Sequence, residues 1–282
     1  MSPRPWTVAV HVAFFLVTAI TTTIAGALWA DADPFGSLAG LEAGLPFSVA
    51  ILAILLCHEF GHYLMCVRHG VDASLPYFLP APPLLIPWGT FGAFIRIRSR
   101  FGDRRALFDM GAAGPWAGFV VSVVVLVIGL RLSHVDPTPQ TAGLMFGDSL
   151  LTSFLTRTVV GAPPDVVLIH PVGIAGWFGL LITSLNLLPA GQLDGGHVLY
   201  AAVGRRMPIV SGVLAAVLLG LALRLWTGWI LWAAVIALMT RLGHPATADD
   251  ATPLGTGRLV GAVSSLLLLV ITFVPEPLRI LP

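Results

Sequence analysis

The stretch "PFSVAILAILLCHEFGHYLMCV", residues 46–67, has the length and apolarity of a membrane-spanning helix. Within it stand His58, Glu59 and His62. A helix that faces only lipid has no use for three ionisable groups, because each is expensive to hold in hydrocarbon. On a helix His58 and His62 share one face, one turn apart. Two imidazoles at that spacing reach one Zn²⁺, with Glu59 beside them as general base for the attacking water. The chain holds eight histidines among 282 residues, and its glutamates are Glu42, Glu59 and Glu276. On that composition, accident supplies on the order of 0.002 matches to this pattern. A buried, hydrogen-bonded polar cluster is the plainer alternative, and the cost of burial at membrane depth weighs against it.

The rest of the chain is of the same kind. Apolar residues make up 56% and charged residues 10%, against about 25% charged in an ordinary soluble domain. Long uncharged runs cover 6–30, 110–130 and 171–193, another covers 45–56 and continues past the His/Glu cluster to residue 67, and shorter ones cover 207–223, 225–240 and 259–274. The expectation is an all-α polytopic membrane protein with six or seven transmembrane helices, forming a single domain over 1–282. The first run is too long for a typical signal peptide and reads as a retained span. The net charge of +1 points to no nucleic acid; the implied surroundings are a lipid bilayer. All fifteen basic residues are arginine. With the N-terminus inside, eleven of the fifteen fall on the inner side: Arg4, Arg68, Arg96, Arg98, Arg100, Arg104, Arg105, Arg205, Arg206, Arg241 and Arg258. That is the positive-inside bias. Arginine without lysine suggests a GC-rich genome, hence a bacterial cell membrane. Cys57 and Cys66 lie about 13.5 Å apart along one helix. They cannot bridge, and read as small buried apolar residues.

Two regions do not span. Residues 74–105 carry Pro76, Pro80, Pro82, Pro83 and Pro87, which exclude a helix. Their second half, "FIRIRS", alternates apolar and basic residues as a half-exposed strand does. The expectation is a short membrane-associated β-hairpin or edge strand around 75–98. Residues 131–170 are polar, with an amphipathic piece near "DSLLTSFL" expected as an interfacial helix. The third long run contains Gly114 and Gly118, four apart; small residues at that spacing let helices approach closely.

A catalytic zinc takes three protein ligands and keeps one position open. The stretch "SLNLLPAGQLDGGHVLY" is apolar as far as Asn186, breaks at Pro189 and Gly191, and presents Asp194 before two glycines. Broken backbone at membrane depth must be buried in protein or line a cavity. Asp194 is therefore the expected third ligand. His197 competes for that place, with a position behind the ligands or near the membrane face as its plainer reading.

"HEFGH" followed by "NLLPAGQLDGG" resembles the site-2 protease family of intramembrane zinc metallopeptidases. Asn186, Pro189, Asp194 and Gly195 match that family's second motif position by position. "TTTIAG", "SLPYFLPAP", "GTFGAFIRIRS" and "FDMGAAGPWAG" look like the branch without a PDZ domain, of bacterial and plant plastid type. One departure is "GHPATADDATPLGTGR", residues 243–258, which weakens that branch's His-Pro-Pro segment. The resemblance implies a catalytic core of about 45–200 built on three helices, one zinc per chain, and membrane-protein substrates cut in or near transmembrane segments.

Helix arithmetic agrees on depth. Residues 45–58 span about 20 Å and residues 62–68 about 9 Å, so the site lies within the membrane, nearer the cytoplasmic face. A substrate helix must unwind before its carbonyls are accessible, and an edge strand around 91–98 is suited to hold it by strand addition. Asn186 is expected to steady the substrate backbone or the developing oxyanion. Another membrane zinc hydrolase of CAAX-processing type, a metal transporter and an inactive relative are the competing readings. The Asn–Pro–Asp–Gly pattern, the convergence of the candidates on one zinc, and the intact set of His58, Glu59, His62 and Asp194 argue against them in turn.

Overall fold

The computed structural model describes residues 5–136, 143–244 and 246–281. Arg4 lies outside them, and so does the side chain of Arg205. The chain is mostly helical. Helix α1 (Pro5–Trp29) is followed by the short α2 (Leu38–Glu42) and by α3 (Leu45–Arg68), which carries the His/Glu cluster. Proline at its first turn opens α3. It closes at Gly70, whose positive φ of 66° lets the Val71 amide turn back to the Cys66 carbonyl.

The proline-rich segment then forms β1 (Tyr77–Pro80) and β2 (Thr90–Phe94), an antiparallel pair with Tyr77 opposite Phe94 and a bulge after Leu79. Pairing continues beyond the strands, with the Ser74 amide donating to Arg96 O and the Arg98 amide to Asp72 O. The expected hairpin is thus present, and it lies along α1. His11 Nδ1 meets Pro76 O at 3.0 Å, the Thr21 hydroxyl donates to Gly89 O at 2.6 Å, and Trp29 Nε1 donates to Pro87 O at 2.8 Å. From His11 to Trp29 is about 27 Å of helix, so the hairpin follows α1 for most of a bilayer's hydrocarbon thickness.

Helix α4 (Arg104–Leu132) begins where the Asp103 side chain accepts from the Ala106 amide. Beyond it come β3 (His134–Val135), β4 (Gly143–Phe146), α5 (Leu150–Val159) and β5 (Val167–Leu168). The amphipathic piece expected near 148–155 is α5, opened by a reciprocal Ser149–Thr152 capping box. The run at 171–193 does not form one helix. Helix α6 (Pro171–Asn186) stops at Asn186, the chain turns, and α7 (Asp194–Val203) starts at Asp194. Helices α8 (Met207–Arg224), α9 (Trp229–Leu242) and α10 (Thr256–Thr272) follow, then β6 (Leu278–Leu281). Helix α9 starts later than its apolar run because a turn brings the Trp229 amide to Trp226 O.

Among the described residues, four helical stretches are long and apolar enough to cross a membrane: Val8–Trp29, Leu38–Arg68, Arg104–Leu132 and Met207–Arg224. Helices α6, α9 and α10 are apolar but shorter. Two apolar clusters flank the break between α6 and α7. One gathers Phe47, Ile51, Leu55, Phe78, Trp177 and Phe178 from α3, the hairpin and α6. The other packs Leu187, Leu188 and Ala190 of the break itself against Leu218, Trp229, Ile236 and Leu268. The interrupted backbone is therefore packed within protein.

Candidate metal centre and catalytic cleft

Helix α3 brings His58 and His62 to one face, and both side chains are buried. The start of α7 brings Asp194 to meet them. His58 Nε2 lies 3.0 Å from His62 Nε2. Asp194 Oδ2 lies 3.2 Å from His58 Nε2 and 3.3 Å from His62 Nε2. Ligands at the corners of a zinc tetrahedron with bonds of 2.0–2.2 Å stand about 3.3 Å apart, so the three atoms are spaced as one ion needs them.

The hydrogen bonding makes the same demand. His62 Nδ1 is 2.7 Å from Met110 O. A carbonyl only accepts, so Nδ1 carries the proton, and in the neutral ring Nε2 is left as a lone pair. That lone pair faces a carboxylate oxygen. Two acceptors at contact distance need a cation or a proton between them, and this donor set suits zinc. His58, Glu59 and His62 form a buried group whose ligand atoms lie within 4.8 Å of one another.

The local sequence explains the geometry. The loop between α6 and α7 folds back so closely that a Cβ on Gly195 would sit 2.0 Å from Leu187 O. Gly191 turns the chain at φ +55°. Asp194 is the first residue of α7, where free backbone N–H groups favour a carboxylate. Asn186, the last residue of α6, puts Nδ2 3.3 Å from His58 Nε2. His197 is placed otherwise: its Nδ1 is 2.7 Å from His244 Nε2.

These residues open onto a cleft of about 210 Å³ that Ala93, Phe94, Ile95 and Ile97 also line. Arg96 and Arg98 direct their backbone toward residues 72–74. Successive residues of a strand point their amides to opposite edges, so Ile95 and Ile97 offer theirs to the cleft. The Ile95 amide faces the Glu59 carboxylate. Side chains alternate as well: Arg96 and Arg98 are exposed, Ile95 and Ile97 half-buried.

Three contributors were not anticipated as parts of the site. Met110 supplies the carbonyl that fixes the His62 tautomer. Gly114 and Gly118, expected only to pack helices, make room for the imidazoles: a Cβ on Gly114 would lie 2.1 Å from His62 Nε2, and one on Gly118 3.0 Å from His58 Nδ1. Their four-residue spacing, equal to that of the two histidines, was the available signal.

A mostly helical chain whose apolar helices enclose two histidines, a glutamate and an aspartate belongs with membrane-embedded metallohydrolases. The model of Peptidase family M50, the site-2 protease family, matches residues 46–226; the chain belongs to that family. It is 35% identical over 242 residues to "Probable zinc metalloprotease EGY1, chloroplastic" of Arabidopsis thaliana, covering 83% of this chain and 43% of that protein. Its identity to the protein of the same name from Oryza sativa subsp. japonica is 34%, over 83% of this chain and 41% of that one. Its identity to "Probable zinc metalloprotease EGY2, chloroplastic" of Arabidopsis thaliana is 30%, over 83% and 43%. The chain thus spans less than half the length of these curated relatives. No solved structure matches it.

Proposed function

We propose that this chain is an intramembrane zinc endopeptidase that hydrolyses peptide bonds in or near transmembrane segments of membrane proteins. The observation that carries the reading is the meeting of His58 Nε2, His62 Nε2 and Asp194 Oδ2 within 3.3 Å, beside Glu59 and a strand edge that lines the same cleft. The curated relatives named as probable zinc metalloproteases support it.

His58, His62 and Asp194 hold one zinc per chain. Bound there, zinc acidifies a water and polarises a carbonyl as a Lewis acid. Met110 keeps His62 in the ligating tautomer. An extended substrate segment adds to the edge at Ile95 and Ile97, so its carbonyls reach the cleft already freed from helical hydrogen bonds. Glu59 takes the proton of the attacking water and returns it to the leaving amine nitrogen. The Asn186 amide steadies the oxyanion that develops on the carbonyl oxygen.

The membrane arrangement belongs to the same proposal: a single domain with its core over about 45–200 and seven passes, α6 and α7 sharing one. The pairing of Arg258, near the start of α10, with Asp109, in the second turn of α4, supports an inner start for α10, and the pairing of β6 with β4, which follows α4, supports an outer end. The relatives are named as chloroplastic, whereas the bacterial membrane proposed here rests on arginine content. The test is reconstitution of the full chain in lipid vesicles with a single-span reporter. Zinc-dependent cleavage within the span that Glu59→Gln abolishes bears the reading out; a zinc-loaded chain that cuts no membrane segment overturns it.

A further inference from the structure

The cleft has one more polar wall than the scheme above uses. His197, three residues after Asp194, lines it. Its Nδ1 is held at 2.7 Å by His244 Nε2, from the strap that joins α9 to α10. The strap is itself fixed on the inner end of the molecule. The His244 ring stacks on Tyr200, centroids 4.3 Å apart and planes within 13°. The Tyr200 hydroxyl donates to Asp250 at 2.7 Å, and the Thr247 hydroxyl donates to the other oxygen of the same carboxylate. The amides of Ala248 and Asp249 donate to Phe101 O and Gly102 O, just before α4. Every contact in this chain sets the orientation of the next, and the last ring in it stands in the cleft. His197 is half-buried, and among the described residues its Nε2 has no hydrogen-bond partner.

We propose that His197 is a second substrate-contacting donor of the cleft. With His244 Nε2 assigned as the donor across the 2.7 Å contact to Nδ1, the neutral His197 ring carries its proton on Nε2. From α7, that N–H meets the oxygen of the scissile carbonyl as negative charge develops there. His244 is a positioning residue: it fixes the tautomer and the ring plane, which makes His244 and the stretch 246–253 that anchors it part of the active centre. The inference rests on the endopeptidase reading.

The experiment uses the full chain in lipid nanodiscs and a single-span peptide with fluorophore and quencher on either side of its inner half. Zinc content and binding of the intact peptide, measured in a Glu59→Gln background, are read beside cleavage. His197→Ala is expected to keep one zinc per chain and to bind the peptide within about twofold, while kcat falls by about 10²-fold. His197→Gln, which restores an N–H at a similar reach, recovers part of the loss. His244→Ala lowers kcat in the same direction, and the double variant is no slower than His197→Ala, because the second residue acts through the first. Wild-type kcat in His197→Ala overturns the proposal, as does loss of its zinc, which makes His197 a ligand. Additive losses in the double variant overturn the positioning role. If the wild type cleaves and Glu59→Gln does not, the endopeptidase reading stands and His197 alone is on trial; if the zinc-loaded wild type does not cleave, both fall.

Discussion

Gly114 has nothing to ligate with, yet the metal site depends on what it lacks. Alanine is worth up to about 1 kcal/mol over glycine in a helix interior, so propensity alone favours Gly114→Ala. The new methyl would lie 2.1 Å from His62 Nε2, a separation no pair of unbonded atoms holds, so the imidazole must move off its place. Steric exclusion wins: the variant is expected to stay folded and to bind zinc about 10- to 100-fold more weakly, a loss of the size that disturbing ligand orientation causes. Competition with a chromophoric chelator measures it, and unchanged affinity would refute the packing argument. Glu59→Gln is the converse case. The amide is nearly isosteric and the ligands remain, so zinc is kept while cleavage slows by a factor on the order of 100 or more; near wild-type turnover would mean that another group moves the proton. Asp194→Ala should lose zinc where His197→Ala retains it. Metal analysis of the two purified variants decides which residue is the third ligand, and full zinc in Asp194→Ala would reverse the assignment.

At the scale of elements, the proposed function rests on the strand edge and the broken helix. The hairpin is pinned along α1 by three side chains, His11, Thr21 and Trp29, so its free edge is held against the cleft by a helix that contributes nothing to the metal. Single cysteines at positions 95–98 should react with a water-soluble maleimide in alternation, with 96 and 98 fast and 95 and 97 slow. A labelling period of three or four would contradict the strand and the mode of substrate docking with it. The break between α6 and α7 was legible from Pro189, Gly191 and the two glycines after Asp194. Its packing was not, because Leu218, Trp229, Ile236 and Leu268, which cover it, lie tens of residues downstream. No local pattern announces which later helix will shield a given turn.

For the whole molecule, the pairing of Gly143–Phe146 with Leu278–Leu281 ties the loop after α4 to the end of the chain. The proposed arrangement has seven passes, with the two ends of this chain on opposite sides of the membrane. Reporters fused at each end should be accessible from opposite faces of sealed vesicles; accessibility from one face would return the count to six.

Composition, period and spacing by themselves determined that apolar helices carry this chain, that a hairpin or edge strand lies around 75–98, that His58, Glu59 and His62 form one group, and that Asp194 is a candidate to join them. Each of these is a local property: a run of residues without charge, an alternation of two, a turn of helix between two histidines. Only the tertiary structure decided that Met110 and two glycines of α4 complete the histidine pocket, that His197 turns to His244, and that the stretch after α4 pairs with the stretch after α10. Those contacts join residues up to about 140 positions apart in sequence, as Gly143–Phe146 and Leu278–Leu281 illustrate. They are set by which helices pack together, a choice made by shape and burial across the whole chain that no short window of sequence records.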